Sequence, residues 1–113
     1  MKNVYNRVKE GEIMSKLCQK FEQAGTLIGK PWVSLIIYEL LTGPKRFSYL
    51  ESQLNITSRM LSERLKQLEI ENIIKREVTP DTPVKIEYLL TDKGYALKPV
   101  IESLHTWSQN WFE

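Results

Sequence analysis

A predicted helix that begins at Thr57 or Ser58 and ends near Asn72 carries the side chains of this sequence that are best suited to binding chemistry. Its apolar residues recur at i, i+4 and i+7, which places them on one stripe that faces a core: Leu61, Leu65 and Leu68. The other side carries hydroxyl, amide and charged groups: Ser58, Arg59, Ser62, Glu63, Lys66 and Gln67. Arginine and lysine donate to guanine edges or phosphates, glutamine pairs with adenine, and serine is a small adaptable donor. The same face also fits an ordinary surface helix with its charges in water, so this helix alone leaves both interpretations open.

The segments around this helix predict a helix-turn-helix followed by a wing. A short amphipathic helix, about Phe47 to Leu54, breaks at Asn55-Ile56, and Thr57 and Ser58 are both good N-caps for the next helix. Two helices joined by a turn of about three or four residues form a helix-turn-helix, whose second helix enters the DNA major groove. Strand, tip and strand then follow at Ile73–Val78, Thr79–Pro83 and Val84–Leu90.

The wing strands are predicted to be half-buried, because apolar and polar residues alternate along them. The positions expected to face inward are Ile74, Arg76, Val78, Ile86, Tyr88 and Leu90. Lys45-Arg46 is predicted to lie extended, which would add a short third strand against the wing. Asn72 stands where the chain leaves the helix, and asparagine tolerates the left-handed conformation of a C-terminal cap.

Two further helices are predicted before the helix-turn-helix, and a loose polar arm at residues 1–12 precedes them. Apolar residues at helical spacing predict the first helix from Ile13 to about Ile28. Pro31 suits the first position of the next helix, which is apolar around most of its circumference and is therefore expected to be central. Its apolar residues are Trp32, Val33, Leu35, Ile36, Ile37, Leu40 and Leu41.

The last predicted helix, at residues 92–112, is too apolar for a small domain that is already covered by its own core. Thr91 is its predicted N-cap, and Pro99 must bend the helix or sit where the lost hydrogen bond is tolerated. We predict that this helix and the helix at residues 13–28 form a dimer interface. The interface residues would be Leu17, Phe21, Leu97, Val100, Ile101, Leu104, Trp107 and Trp111. The alternative is a monomer in which the last helix is a cap.

Length and composition predict one domain over residues 13–113 in a cytoplasmic protein. The net charge of +2 neither demands nor excludes nucleic acid as a partner. One cysteine excludes an internal disulfide framework, and we expect neither a membrane span nor a signal peptide. His105 is the only histidine, and one histidine with one cysteine cannot build the usual zinc site. Without a catalytic-triad motif or a phosphate-binding glycine motif, we expect no enzymatic activity, metal or cofactor.

The motifs of this chain, in their order and spacing, resemble those of one bacterial family. The matching residues are Cys18, Leu27-Ile28-Gly29, Trp32, Gly43-Pro44-Lys45-Arg46-Phe47, Met60-Leu61-Ser62, Leu65-Lys66-Gln67-Leu68-Glu69, Ile73-Ile74-Lys75-Arg76, Pro80, Pro83, Ile86-Glu87-Tyr88, Leu90-Thr91, Gly94, Leu97, Pro99-Val100, Leu104 and Trp107. Over about residues 17–107 the chain resembles the HxlR-type winged helix-turn-helix regulators, relatives of the MarR regulators. The resemblance implies a homodimer that binds double-stranded operator DNA and usually represses transcription, with the helix from Thr57 as its recognition helix.

The recognition helix and the wing would then supply the DNA contacts. We expect base or phosphate contacts from Arg59, Ser62 and Lys66, beside Thr57 and Ser58 at the start of the helix. We expect contacts to phosphates or to the minor groove from Arg46, Arg64, Arg76 and Lys85. Lys85 stands where the family usually carries an arginine, and Val84 replaces a second wing proline, which makes the wing less stiff.

Some members of this family sense electrophiles, quinones or hypochlorite through a cysteine near the N-terminus, and Cys18 matches that position. A sensing thiol must be partly ionised, and Lys16 and Lys20 are close in sequence. Gln19 replaces the proline that usually follows the family cysteine, so the surroundings of this thiol differ. A buried, inert cysteine is the alternative. The resemblance is also compatible with regulation by a small-molecule inducer.

We therefore expect a mainly α fold with a small β-wing (α+β), a winged helix-turn-helix, in a sequence-specific DNA-binding regulator. The rival from another class is a winged helix that binds proteins, such as an antirepressor or an adaptor, without specific DNA binding. The modest net charge and a wing tip without lysine or arginine favour that rival. Salt-dependent DNA binding distinguishes the two hypotheses.

Overall fold

The computed structural model describes residues 12–113, with side chains from Lys16 onward. The predicted arm at residues 1–12 lies outside the described residues, except for the helical backbone of Glu12. The chain divides into two compact units, of which one ends at Val33 and the other runs from Ser34 to Glu113. Helix α1 spans Glu12–Gly29, which extends the predicted helix by one residue at each end.

Helix α2 spans Val33–Leu40 and contributes to the core, as predicted. Its fully buried residues are Val33, Ile36, Ile37 and Leu40. The prediction that Pro31 takes the first helical position was wrong, because Trp32 has a left-handed φ of 74° and the helix begins only after it. Not every apolar residue of α2 is buried, which the sequence did not indicate: Leu35 is half exposed.

Helices α3 (Phe47–Leu54) and α4 (Ser58–Ile70) form the predicted helix-turn-helix. Asn55 ends α3 in the left-handed conformation, and Thr57 caps α4. The buried residues of these helices and of the segments around them are Leu50, Ile56, Leu61, Leu65, Leu68, Ile73, Ile74, Leu90 and Ile101. Burial of one such side chain contributes about 1.5–3 kcal/mol, so this cluster holds α4 in one orientation.

The wing is an antiparallel ribbon of β1 (Ile74–Thr79) and β2 (Lys85–Leu90), each strand beginning one residue later than predicted. Its register pairs Ile74 with Leu90 at the base and Thr79 with Lys85 beside the tip. The extended segment predicted before α3 joins the ribbon as a single bridge. There, Lys45 and Tyr88 exchange two backbone hydrogen bonds of 2.9 and 2.8 Å.

The prediction that the wing strands are half-buried along their length was wrong for β1. Ile74 at the base is buried, whereas Arg76 and Val78, which alternation places on the same face, are exposed. In β2, residues 85–89 are intermediate and Leu90 is buried. The core therefore covers only the base of the ribbon. Toward the tip of β1, the face that was predicted to point inward is exposed to solvent.

The C-terminal region forms two helices, α5 (Asp92–Tyr95) and α6 (Lys98–Trp111), where one helix at residues 92–112 was predicted. Thr91 caps α5 as predicted, since its Oγ1 accepts a hydrogen bond of 3.1 Å from the N–H three residues later. Pro99 lies in the first turn of α6, where its missing N–H breaks no intrahelical hydrogen bond. Among the helices of residues 12–113, none is long and apolar enough to cross a membrane.

Candidate nucleic-acid interface

Helix α4 has one buried face and one exposed face. Leu61, Leu65 and Leu68 are at most 1% exposed, which confirms the predicted core stripe. The opposite face carries Arg59, Ser62, Glu63, Lys66 and Ile70, all of them exposed. The Arg59 side chain is 91% exposed, so its guanidinium can reach a partner several ångströms beyond the helix. Ile70 was not predicted as part of this face, although its spacing from Lys66 at i+4 was a visible signal.

The start of α4 is tied to the fold by two hydroxyl groups that were predicted to contact DNA. Thr57 Oγ1 accepts a hydrogen bond of 3.2 Å from the Met60 N–H. Ser58 Oγ donates to the carboxylate of Glu51 in α3. The Thr57 hydroxyl therefore caps the first turn of α4, and the Ser58 hydroxyl ties α4 to α3. The Ser58–Glu51 contact joins residues on different helices, and the sequence contained no signal for it.

Three charged side chains of α4, Arg59, Glu63 and Arg64, have partners within the helix. Arg59 Nε lies 3.7 Å from Glu63 Oε1 on the next turn. Arg64 is half-buried, and its Nη1 donates to Gln67 Oε1 at 3.1 Å. The structure thus separates the arginines that were predicted as DNA contacts, because Arg59 projects outward and Arg64 lies on the flank of the helix.

The wing places its two predicted DNA-contacting cations on opposite faces. Successive residues of a strand point to opposite sides of the ribbon, and Arg76 pairs in register with Tyr88. Lys85 lies on the other face, where its Nζ is 3.6 Å from Glu87 Oε1. A ribbon inserted edge-on between two phosphate backbones presents both faces, whereas DNA lying flat on the wing meets only one of these cations.

Arg46 is exposed next to α3, at the end of the segment that bridges to the wing. The neighbouring Lys45 Nζ lies 5.5 Å from the centre of the Tyr49 ring, within the range of a cation–π contact. The Tyr49 hydroxyl donates to Glu39 Oε2 at 3.4 Å. Desolvation, and then the nearby Glu39 carboxylate, raise the pKa of Tyr49 above its ordinary value. This hydroxyl is therefore a hydrogen-bond donor at neutral pH.

The C-terminal end of α4 is fastened to the start of α5, a junction that sequence reasoning missed. Asn72 has the predicted left-handed conformation, with φ of 59°. Its carbonyl oxygen accepts a hydrogen bond of 2.6 Å from Thr91 Oγ1. Lys93 Nζ donates to the Glu71 carbonyl oxygen at 2.7 Å, and a cation is favourable at this negative end of the helix dipole. Thr91 was predicted only as an N-cap, but it also holds the far end of α4.

Two apolar surfaces are exposed, one on each unit of the chain. On α1, Leu17 is 53% exposed and Phe21 is 78% exposed. On α6 and at the end of the chain, the exposed large side chains are Val100, Leu104, Trp107, Trp111 and Phe112. The placement of Ile101 among the interface residues was wrong, because Ile101 is only 2% exposed and belongs to the core. Leu97 is half-buried.

Cys18 and His105 occupy different environments. Cys18 is 8% exposed in α1, while Lys16 and Lys20 on the same helix are exposed. His105 is exposed on α6 and stacks on Tyr38, with ring centres 4.8 Å apart and ring planes at 17°. The thiol is thus shielded from bulk solvent, which is compatible with an inert cysteine and with a sensor that reacts after a local opening.

Comparison with known proteins identifies the family of this fold. A model of the HxlR-like helix-turn-helix family matches residues 27–113. The chain is 49% identical over 100 residues to YvaP, an HTH-type transcriptional regulator of Bacillus subtilis, across 88% of this chain and 93% of that one.

Two solved structures share this winged helix-turn-helix. Quinone-bound YodB from B. subtilis has a TM-score of 0.70 and 40% identity, over 81% of this chain and 97% of that chain. The redox regulator HypR in its oxidized form has a TM-score of 0.78 and 33% identity, over 83% and 98%. With a family model that matches most of its length and relatives of this identity, the chain belongs to the HxlR-like helix-turn-helix family of transcriptional regulators.

Proposed function

We propose that this regulator is a homodimeric repressor that binds operator DNA through α4 and the wing. The observation that carries the proposal is the outward face of α4, where Arg59 is 91% exposed directly opposite the buried leucine stripe. A helix held this way has the form of a recognition helix in the major groove. Two copies related by a twofold axis would meet half-sites about 34 Å apart, or a small multiple of that distance.

The proposed footprint divides the polar residues by role. Arg59, Ser62 and Lys66 on the exposed face meet base edges or phosphates. Phosphates or the minor groove are met by Arg46, Arg64, Arg76 and Lys85. Thr57 and Ser58 position the start of α4, whose free backbone N–H groups and positive dipole end favour a phosphate.

The experiment that tests this proposal is a binding titration of the purified protein on the region upstream of its own gene, with random DNA as competitor. Specific binding should resist the competitor and weaken steeply with salt, by about 10³-fold or more between about 50 and 200 mM if roughly six phosphates are contacted. Binding no tighter than to random DNA, at this site and in a selection of genomic fragments, would contradict the proposal and favour the protein-binding rival.

Arg59→Ala is expected to weaken binding to the operator by about 1–3 kcal/mol if its guanidinium contacts a guanine. Binding to random DNA should change much less, because a lost base contact carries sequence information. Arg64→Ala is the matched variant. It removes the same charge from the flank of α4 and should weaken binding to operator and to random DNA equally. Fluorescence anisotropy on both DNAs measures the difference. If Arg59→Ala lowers the affinity for operator and for random DNA by the same small factor, Arg59 makes no base contact.

We also propose that two copies of the chain associate through the exposed apolar surfaces of α1 and α6. Phe21 on α1 is 78% exposed and Trp111 on α6 is 72% exposed, and exposed apolar patches are typical of interaction sites. A dimer removes that surface from water and places two recognition helices on one DNA duplex. The two copies together then bind a repeated half-site far more tightly than one copy does.

We propose in addition that Cys18 makes the regulator responsive to quinones or to thiol oxidants. The quinone-bound form of YodB and the oxidized form of HypR support this for relatives at 40% and 33% identity. A thiolate adds to a quinone ring carbon and forms a thioether without an added oxidant. With a thiol oxidant, which takes up two electrons and two protons, a mixed disulfide between Cys18 and a small thiol is the alternative outcome for a chain with one cysteine.

Quinone treatment is expected to reduce operator affinity of the wild-type protein by about tenfold or more, the usual scale of an allosteric coupling. Cys18→Ser should bind like the untreated wild type and keep that affinity after treatment. Mass spectrometry of the intact chain should show one added quinone in the wild type and none in the variant. A variant that still responds, or a modified wild type that still binds fully, would contradict the role of Cys18.

A further inference from the structure

Glu63 lies in the middle of the outward face of α4, where a carboxylate is unfavourable for a surface that meets a polyanion. It is 52% exposed, with Arg59 one turn before it and Lys66 one turn after it. The leucine stripe holds this face away from the core, so Glu63 cannot withdraw into the protein. DNA bound to α4 therefore brings either a base edge or a phosphate oxygen close to this carboxylate.

We propose that Glu63 is a specificity-determining residue that accepts a hydrogen bond from the exocyclic amino group of a cytosine in each half-site, an inference that rests on the proposed DNA-binding function. The hydrogen-bond donors of the major groove are the amino groups of cytosine and adenine, and carboxylates pair with that of cytosine. Guanine and thymine present acceptor oxygens that repel a carboxylate. Glu63 thus favours one base and disfavours others.

The position of Arg59 relates its proposed contact with a guanine to the proposed contact of Glu63 with a cytosine. Its Nε lies 3.7 Å from Glu63 Oε1, so the free protein holds the guanidinium and the carboxylate side by side. Residues at i and i+4 have Cβ atoms about 5–6 Å apart, while base pairs stack about 3.4 Å apart. The pair therefore spans the same or adjacent base pairs, with Arg59 donating to a guanine and Glu63 accepting from a cytosine.

The test is a selection of bound sequences from random DNA by the wild-type protein, Glu63→Gln and Glu63→Ala. Glutamine pairs with adenine through N6 and N7. The Glu63→Gln protein should therefore select adenine instead of cytosine at one position of each half-site. Glu63→Ala should lose the preference at that position. On the wild-type operator, Glu63→Gln should bind about tenfold more weakly, which corresponds to one good base contact. On random DNA it should bind more tightly, because one repulsive charge is gone.

Glu69→Gln is the matched control. Glu69 is half-buried on the flank of the same helix, and its substitution removes the same charge without touching the outward face. It should leave the selected sequence unchanged. An unchanged sequence for Glu63→Gln and Glu63→Ala, beside a wild type that selects an operator, would overturn this role alone and leave Glu63 as a partner of Arg59. A wild type that selects no sequence would overturn the proposed function and this role with it.

Discussion

Gly94→Ala is expected to lower the free energy of unfolding by about 3 kcal/mol or more, since overpacking a tight site forces a backbone shift. A Cβ atom at this position would lie 2.2 Å from the Ile73 carbonyl oxygen and 3.0 Å from Leu90 Cδ2. A backbone oxygen cannot swing away as a side chain can. Ile73 immediately precedes β1 in the connection from α4, and Leu90 ends β2, so the strain falls where α4, the wing and α5 meet.

Urea denaturation monitored by circular dichroism measures this loss, and the thermal midpoint should fall by more than about 10 °C. Gly25→Ala is the matched control, because within the described residues a Cβ at Gly25 meets nothing within 4 Å. In the interior of α1, alanine should raise stability by about 0.5–1 kcal/mol through its higher helix propensity. Equal stability of the two variants would show that the contact between Gly94 and Ile73 has no energetic consequence.

Phe21→Glu is expected to convert the proposed dimer into a folded monomer. The side chain is 78% exposed in the single chain, so a carboxylate there leaves the fold of one copy intact. In a dimer interface, an unpaired charge is costly, and each dimer contains two of them. At a few kcal/mol per copy, the dimer dissociation constant should rise by at least about a thousandfold. Operator affinity should fall with it, because one recognition helix then binds alone.

Analytical ultracentrifugation over a range of concentrations measures the association, and anisotropy measures the binding to operator DNA. Gln23→Glu is the matched control: it adds the same charge to the same helix, about 200° around the helix axis from Phe21. That variant should stay dimeric and bind like the wild type. A dimeric Phe21→Glu protein would remove α1 from the proposed interface, and a monomeric wild type would remove the interface itself.

The sequence by itself determined the helix-turn-helix and the wing, because their signals are local. Thr57 as N-cap, the helix break at Asn55, Asn72 in a left-handed position and the leucines of α4 depend on residues a few positions away. Hydrogen bonds at helix ends and a repeat of 3.6 residues per turn act over that distance. The exposed face of α4 followed directly, since a helix with one buried stripe must present the opposite side.

Only the tertiary structure decided which residues of the C-terminal region are core and which are surface. An apolar pattern shows that Ile101 and Trp107 avoid water but not which of them packs on the same chain, and the structure buries the first and exposes the second. The break between α5 and α6 also appeared only in the structure, where Pro99 lies in the first turn of α6.

The other features that the sequence did not predict are contacts between residues far apart in sequence. Gly94 beneath the Ile73 carbonyl, Thr91 and Lys93 at the end of α4, and Ser58 on Glu51 each join separate elements. Such contacts arise when the chain closes on itself, and composition, periodicity and capping rules do not contain that distance information. The sequence therefore determined which helix presents a polar face opposite a buried stripe, whereas the tertiary structure decided how firmly each end of that helix is held.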